Sequence, residues 1–259
     1  MEGRWRDTTS EWRVDDYRKV LDMTQANAEG WGAQLSEWLA RDAYRHYARK
    51  RIITDLIQKE HVTTYLDVGC GSGHLISDFS SDIDVCVGVD LSKEIISYHA
   101  KNSDLLIAQA AINHLPFPDN SFDLVTCFGL VEHLLAPEKA LCELLRITQP
   151  GGRAFISVPR LVGPFPLLVP LWYFTGGRYK FGWKNMVGRM YTKKYLQKQL
   201  DESGWSIQDI FPFKATSLLE WCGLPFAERI AEIFESNSIF KKSSSIMLGA
   251  ICRKNLEQT

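Results

Sequence analysis

The sequence predicts an α/β protein built on a seven-stranded, mostly parallel, doubly wound sheet. Two observations carry that expectation. Short runs that are apolar nearly throughout occur at residues 62–68, 85–89, 105–108, 122–128 and 154–158. An unbroken apolar run of strand length suits a strand covered on both faces. Between these runs lie segments with helical spacing, at 75–79, 92–101 and 137–147. Strands alternating with helices are the pattern of a parallel sheet with helices on both sides.

Ahead of the first run, residues 1–60 read as helical, with Leu35, Trp38, Leu39, Tyr47, Ile53, Leu56 and Ile57 recurring near helical spacing. They are expected to form an N-terminal helical lid or extension. Residues 61–259 are expected to form one domain, because no repeat or low-complexity linker divides them. In the segment 137–147, Pro137 falls in the first turn, where its missing N–H costs nothing. Ala140, Leu141, Leu144 and Leu145 give that helix an apolar face. After the fifth run the rhythm breaks. Residues 160–190, rich in aromatics, Pro and Gly, read as a cap insertion; a helix at 193–202 and a strand at 205–211 follow. A second insertion at 214–242 and a last strand at 246–252 complete a set of seven strands.

Bulk properties narrow the function. A net charge of −1 argues against a nucleic-acid partner, since such proteins carry a basic excess or stripe. The cysteines (Cys70, Cys86, Cys127, Cys142, Cys222, Cys252) form no C-x-x-C pair and have no histidine at zinc spacing. No metal is therefore expected, and they read as reduced thiols of a cytoplasmic protein. The first ten residues are polar and charged, unlike a signal peptide. The longest apolar stretch, 161–174, is short for a membrane span and is interrupted by Pro164, Pro166 and Pro170.

The informative segment ends the first strand: Leu66-Asp67-Val68-Gly69-Cys70-Gly71-Ser72-Gly73-His74. Alternate glycines allow backbone angles closed to other residues and let a ligand approach the main chain. A dinucleotide fingerprint would need G-x-G-x-x-G, but His74 follows Gly73. Asp90 ends the second strand, 21 residues after Gly69, where a carboxylate can accept from two ribose hydroxyls. An ordinary solvated carboxylate is the alternative there. Two more elements follow. One is Leu115-Pro116-Phe117-Pro118-Asp119 ahead of the fourth strand. The other is Val131-Glu132-His133-Leu134 after it, with Pro150-Gly151-Gly152 before the fifth.

In this order and spacing the elements resemble the class I S-adenosylmethionine-dependent methyltransferases, in particular the family of ubiquinone and menaquinone biosynthesis and natural-product small-molecule enzymes. The resemblance is strong over residues 62–160 and holds only in outline over 190–255. It implies a Rossmann-like methyltransferase fold that binds S-adenosylmethionine and yields S-adenosylhomocysteine. Carried over residue by residue, Asp67, Gly69, Cys70, Gly71 and Gly73 would line the methionine and ribose of the cofactor. Asp90 would take the ribose hydroxyls, Leu91 would pack on the adenine, and Phe128 would close the pocket opposite. Family members often carry an Asp where this chain has Ala111, so adenine contacts fall to the main chain of Ala111 and Ile112.

The implied reaction passes a methyl group to a small acceptor, expected to be apolar or aromatic and attacked at oxygen. It would belong to the biosynthesis of a secondary metabolite or a quinone or lipid-like compound. A hydroxyl acceptor benefits from a base near neutrality. His133 is the catalytic candidate, the alternative being a histidine that caps or orients the loop. Glu132 has the same two readings and falls rather to a cofactor-side or structural carboxylate, and His74, His99 and His114 read as structural histidines. Phe165, Trp172, Tyr173, Phe174, Tyr179, Phe181 and Trp183 would line an acceptor pocket or simply pack on the domain. With Arg178, Lys180 and Lys184 beside them, they would otherwise make a peripheral membrane contact. Arg41, Arg45 and Arg49 share a helix face that reads as solvated. A protein of this fold that uses its cofactor for other chemistry, such as a cyclase, or serves as a non-catalytic partner, is the alternative function. A nucleic-acid methyltransferase is disfavoured because Phe128-Gly129-Leu130-Val131 has no Asn/Asp-Pro-Pro-aromatic element.

Overall fold

The computed structural model describes residues 43–102, 104–161, 189–213, 245 and 247–257, with side chains from residue 49 onward. The expected cap aromatics at 165–183, the insertion at 214–242, Arg41 and the side chain of Arg45 lie outside the described residues.

The chain runs α1 (Ala43–Lys59), β1 (Thr64–Val68), α2 (His74–Phe79), β2 (Val85–Asp90), α3 (Lys93–Asn102) and β3 (Leu106–Gln109). It continues with β4 (Phe122–Phe128), a single 3₁₀ turn (Val131–His133), α4 (Pro137–Ile147), β5 (Thr148–Pro159), α5 (Lys193–Glu202), β6 (Ser206–Phe213) and β7 (Met247–Arg253). The strands form one sheet in the order β3-β2-β1-β4-β5-β7-β6. Pairings among β1 to β5 are parallel, while β7 runs antiparallel between β5 and β6.

Both faces of the sheet are buried, which explains why its strands are apolar throughout. Neighbouring residues on a strand point to opposite faces, and adjacent pairs divide between two cores. Leu66, Val125 and Ile156 join the core under α4 and α5 with Leu141, Leu144, Leu196 and Leu200. Tyr65, Leu124 and Phe155 join the core under α1 and α2 with Ile53, Leu56, Ile76 and Phe79. The N-cap of α5 is Thr192, whose hydroxyl accepts from the Tyr195 N–H at 3.2 Å. Trp205, ahead of β6, donates its indole N–H to the Leu141 carbonyl at 3.1 Å and ties α4 to the far half of the sheet.

The fifth strand departs from expectation. Its apolar run covers 154–158, yet β5 begins at Thr148 and takes in the Pro150-Gly151-Gly152 turn. Thr148 pairs with Phe122, and the register then shifts before Leu124 meets Arg153. Gly151 absorbs that irregularity at φ 80, an angle that glycine adopts freely.

The strand order reverses between β1 and β4, the neighbours that start the two halves of the sheet. In open sheets of this kind ligands bind outside the carboxyl ends of the strands at that reversal. There β1 delivers Asp67 and the glycine loop, β2 delivers Asp90, and β4 delivers Phe128 and the turn carrying Glu132 and His133.

Candidate active site

The loop after β1 is held by its own backbone polar groups. Gly69 and Cys70 both donate their N–H to the Val89 carbonyl, at 2.8 and 3.0 Å, and Gly73 donates to Cys70 at 2.9 Å. Gly69, Gly71 and Gly73 have φ of 77, 49 and 69, left-handed angles costly for any residue with a Cβ. The path of this loop therefore demands glycine at these positions.

Asp90 stands beside the loop. Its Oδ2 accepts from the Gly71 N–H at 3.1 Å and its Oδ1 from the Ser92 N–H at 2.9 Å. Burial pushes its carboxyl above the ordinary range against the pull of these amides. Each carboxylate oxygen offers two lone-pair sites, so capacity for further donors remains. Leu91 follows, its carbonyl accepting from the Gln109 side chain at 3.0 Å. Ala111 sits in a short turn closed by the His114 N–H at 3.0 Å, and the Ile112 side chain is buried in the core. Ile112 therefore offers a ligand only its main chain. The same holds for Cys70: its thiol is buried against Gly88, where an added Cβ would lie 2.8 Å from the sulfur.

On the α1 side of the sheet a buried hydrogen-bond chain runs from Tyr65 to Thr126 at 2.9 Å and from Thr126 to Asp67 at 2.6 Å. Burial raises the Asp67 carboxyl to about 6. Above it the Arg49 guanidinium lies 5.1 Å from the centre of the Phe128 ring, within cation–π range. Phe128 also packs on Phe155 at 5.1 Å. Its ring therefore sits beneath α1, between an arginine and the core.

Past β4, the 3₁₀ turn presents two titratable groups. Glu132 is only 5% exposed, and its Oε2 has no hydrogen-bond partner. Burial raises its carboxyl to about 8, although Arg49 pulls the other way. His133 Nε2 lies 3.8 Å from Glu132 Oε1, and burial lowers the imidazole below its ordinary value. The turn is tied to the chain beyond β5: the Arg189 N–H donates to the Glu132 carbonyl at 2.9 Å and the Tyr191 N–H to Pro159 at 2.8 Å. Tyr191 is fully buried, and its hydroxyl also lacks a partner.

The structure thus brings Asp67, the glycine loop, Asp90 and the Glu132–His133 turn to one edge of the sheet. Two side chains, Glu132 and Arg49, have surroundings here that their sequence positions do not disclose. Glu132 reads as a cofactor-side or structural carboxylate, yet it is a desolvated acid with an unmatched oxygen. Arg49 reads as one cation on a solvated face, yet it reaches over Phe128. Among the described residues, no group of three His, Cys, Asp or Glu side chains has the geometry to hold a metal ion.

Residues 66–156 match the family described as the methyltransferase domain, the same stretch that holds the loop, Asp90 and the Glu132–His133 turn. Over that stretch the chain is similar to methyltransferase domains. Relatives of the domain include the Bacillus subtilis methyltransferase YcgJ, 33% identical over 40% of this chain and 43% of the relative. They also include the ubiquinone biosynthesis O-methyltransferase of Coxiella burnetii, 33% identical over 58% of this chain and 64% of the relative. The chain thus spans about half the length of these curated relatives. A solved SAM-dependent methyltransferase from Thermotoga maritima superposes with a TM-score of 0.59, covering 90% of this chain and 99% of the other at 13% identity. That likeness extends the fold of the methyltransferase domain well beyond the family match, and shows the fold alone.

Proposed function

We propose that this chain transfers the methyl group of S-adenosylmethionine to the oxygen of a small, apolar or aromatic acceptor in the biosynthesis of a secondary metabolite or a quinone or lipid-like compound. One observation carries the reading. A glycine loop fixed in left-handed angles, with the Asp90 carboxylate bonded to its centre, opens beside a turn that holds a desolvated acid and a histidine. The residues present fit the cofactor. Asp90 keeps acceptor capacity suited to a ribose diol, and the loop exposes main chain where a side chain would obstruct. Asp67 and Asp90 also place carboxylates around the site, which complement a cation such as a sulfonium.

The cofactor would supply an electrophilic methyl group on sulfur; the protein's part is alignment and proton handling. Asp67, Gly69, Gly71 and Gly73 would hold the methionine and ribose, with Cys70 contributing main chain. Asp90 would hold the ribose hydroxyls, and Leu91 with the main chain of Ala111 and Ile112 the adenine. Phe128, whose ring packs between Arg49 and Phe155, would close the pocket opposite. His133, kept neutral by burial, is the base that would take the acceptor's proton at Nε2 or Nδ1. Glu132, protonated below about pH 8, stands beside it as a donor for a polar group of the acceptor.

The reading is tested by incubating the protein with S-adenosylmethionine carrying an isotopically labelled methyl group and a small-molecule extract, then following the label by mass spectrometry. Formation of S-adenosylhomocysteine with the label in a low-mass product supports it. A product altered without gain of the label would point to the cofactor-dependent cyclase type of chemistry instead, and no change in any compound would refute the proposal.

A further inference from the structure

Gly71 is bonded through both of its main-chain polar groups, in two successive peptides, by side chains from other elements. Its N–H donates to Asp90 at the end of β2. Its carbonyl lies 3.0 Å from Nε2 of His99, which comes from α3, 28 residues along the chain. A carbonyl only accepts, so Nε2 carries the proton in this contact. His99 is 4% exposed, and its ring lies under a second loop position. A Cβ added at Gly73 would come within 2.8 Å of the ring's Cε1 and 3.2 Å of its Nε2. From the far side Ile107 closes on the same spot at 3.1 Å. One imidazole thus supports both left-handed positions at 71 and 73.

We propose that His99 is a positioning residue for the cofactor loop: Asp90 holds the peptide before Gly71 and His99 the peptide after it, and together they keep residues 69–73 in the shape that receives S-adenosylmethionine. The inference rests on the proposed cofactor site, but the clamp itself is a property of the ligand-free chain. Without the Nε2 donor the Gly71 carbonyl loses its partner, and the Gly71–Ser72 peptide is free to rotate out of the loop's shape while Asp90 still holds only the preceding peptide. The loop then has to be ordered again each time the cofactor binds, and that cost appears as lost affinity. A ring that merely filled space would need its volume but not its N–H.

Two substitutions separate these roles. His99→Leu keeps bulk and removes the donor, whereas His99→Gln keeps an N–H donor of similar reach. Amide hydrogen exchange on ligand-free protein should show residues 69–73 exchanging faster in the Leu variant and near wild-type rates in the Gln variant. Calorimetric titration with S-adenosylhomocysteine should show affinity weakened roughly tenfold by Leu, the loss expected of one hydrogen bond, and largely restored by Gln. Should the Leu variant fail to melt cooperatively, His99→Asn, whose amide is too short to reach Gly71, takes its place with the same expectation. Unchanged loop exchange in the donor-less variant, or a Gln variant as impaired as Leu, would overturn the clamp. If the loop responds as expected but wild-type protein does not bind S-adenosylhomocysteine, the clamp stands and the proposed function fails.

Discussion

Replacing Glu132 with Gln should make the protein less sensitive to alkaline pH, by an amount the structure allows to be worked out. The carboxyl is buried, its Oε2 is unpartnered, and its pKa is raised from 4.5 to about 8. An acid whose folded pKa is raised stabilises the native state fully below its unfolded value, and that stability is lost as pH rises toward the folded value. The loss grows at about 1.36 kcal/mol per pH unit. From about pH 5.5 to about pH 8 it reaches about 3 kcal/mol and then levels off. Glutamine keeps the shape and carries no proton to lose. Urea denaturation at about pH 5.5 and about pH 8.5 reads the effect: wild type should lose about 3 kcal/mol more than Glu132→Gln between the two. Asp67 and Asp90, also raised by burial, contribute in the same direction in both proteins and cancel in the comparison. Equal losses in the two proteins would mean that Glu132 ionises as it would in water and is not the desolvated acid described above.

Three further outcomes are expected. Asp90→Ala removes the acceptor of the Gly71 and Ser92 amides together with the proposed ribose contact, so calorimetry should show S-adenosylhomocysteine bound at least about tenfold more weakly. With an identified hydroxyl acceptor, His133→Ala should lower kcat by about 10²–10⁴ and leave cofactor affinity unchanged. The acid limb of the wild-type pH–rate profile should lie below 6.5, since burial lowers the imidazole, and should vanish in the variant. Gly249→Ala, in the core behind Phe155, places a Cβ 2.5 Å from Cζ of that ring, and denaturant melts should show about 1–3 kcal/mol lost to overpacking.

The sheet was legible because its strands are buried on both faces and so announce themselves as unbroken apolar runs. The bounds of β4 and α4 agree with the sequence because local signals mark them: Phe122 follows a polar turn, and Pro137 occupies a first-turn position. The start of β5 was not legible, since the pairing of Thr148 with Phe122 depends on a register shift that glycine permits but does not prescribe. The glycine loop and Asp90 lie at strand ends, as their sequence positions predict, while their roles toward a cofactor come from the family resemblance. The settings of Glu132, His99 and Arg49 were not legible. Their character comes from burial, and burial is created by segments distant in sequence: Arg49 reaches Phe128 from another element, and His99 meets a loop 28 residues earlier. A charge on a helix looks solvated, and an imidazole merely structural, until the partner it meets is placed.

Residues 69–73 and Asp90 are proposed to hold S-adenosylmethionine. Titration calorimetry of S-adenosylhomocysteine into wild type and Gly71→Val tests this most directly. Gly71 has φ 49, an angle that a β-branched residue adopts only under strain, so the variant should lose the loop's shape while retaining the sheet. The account predicts one micromolar site in the wild type and no measurable binding in a variant that still melts cooperatively. Absence of binding by the wild type, or equal binding by a folded Gly71→Val protein, would contradict it.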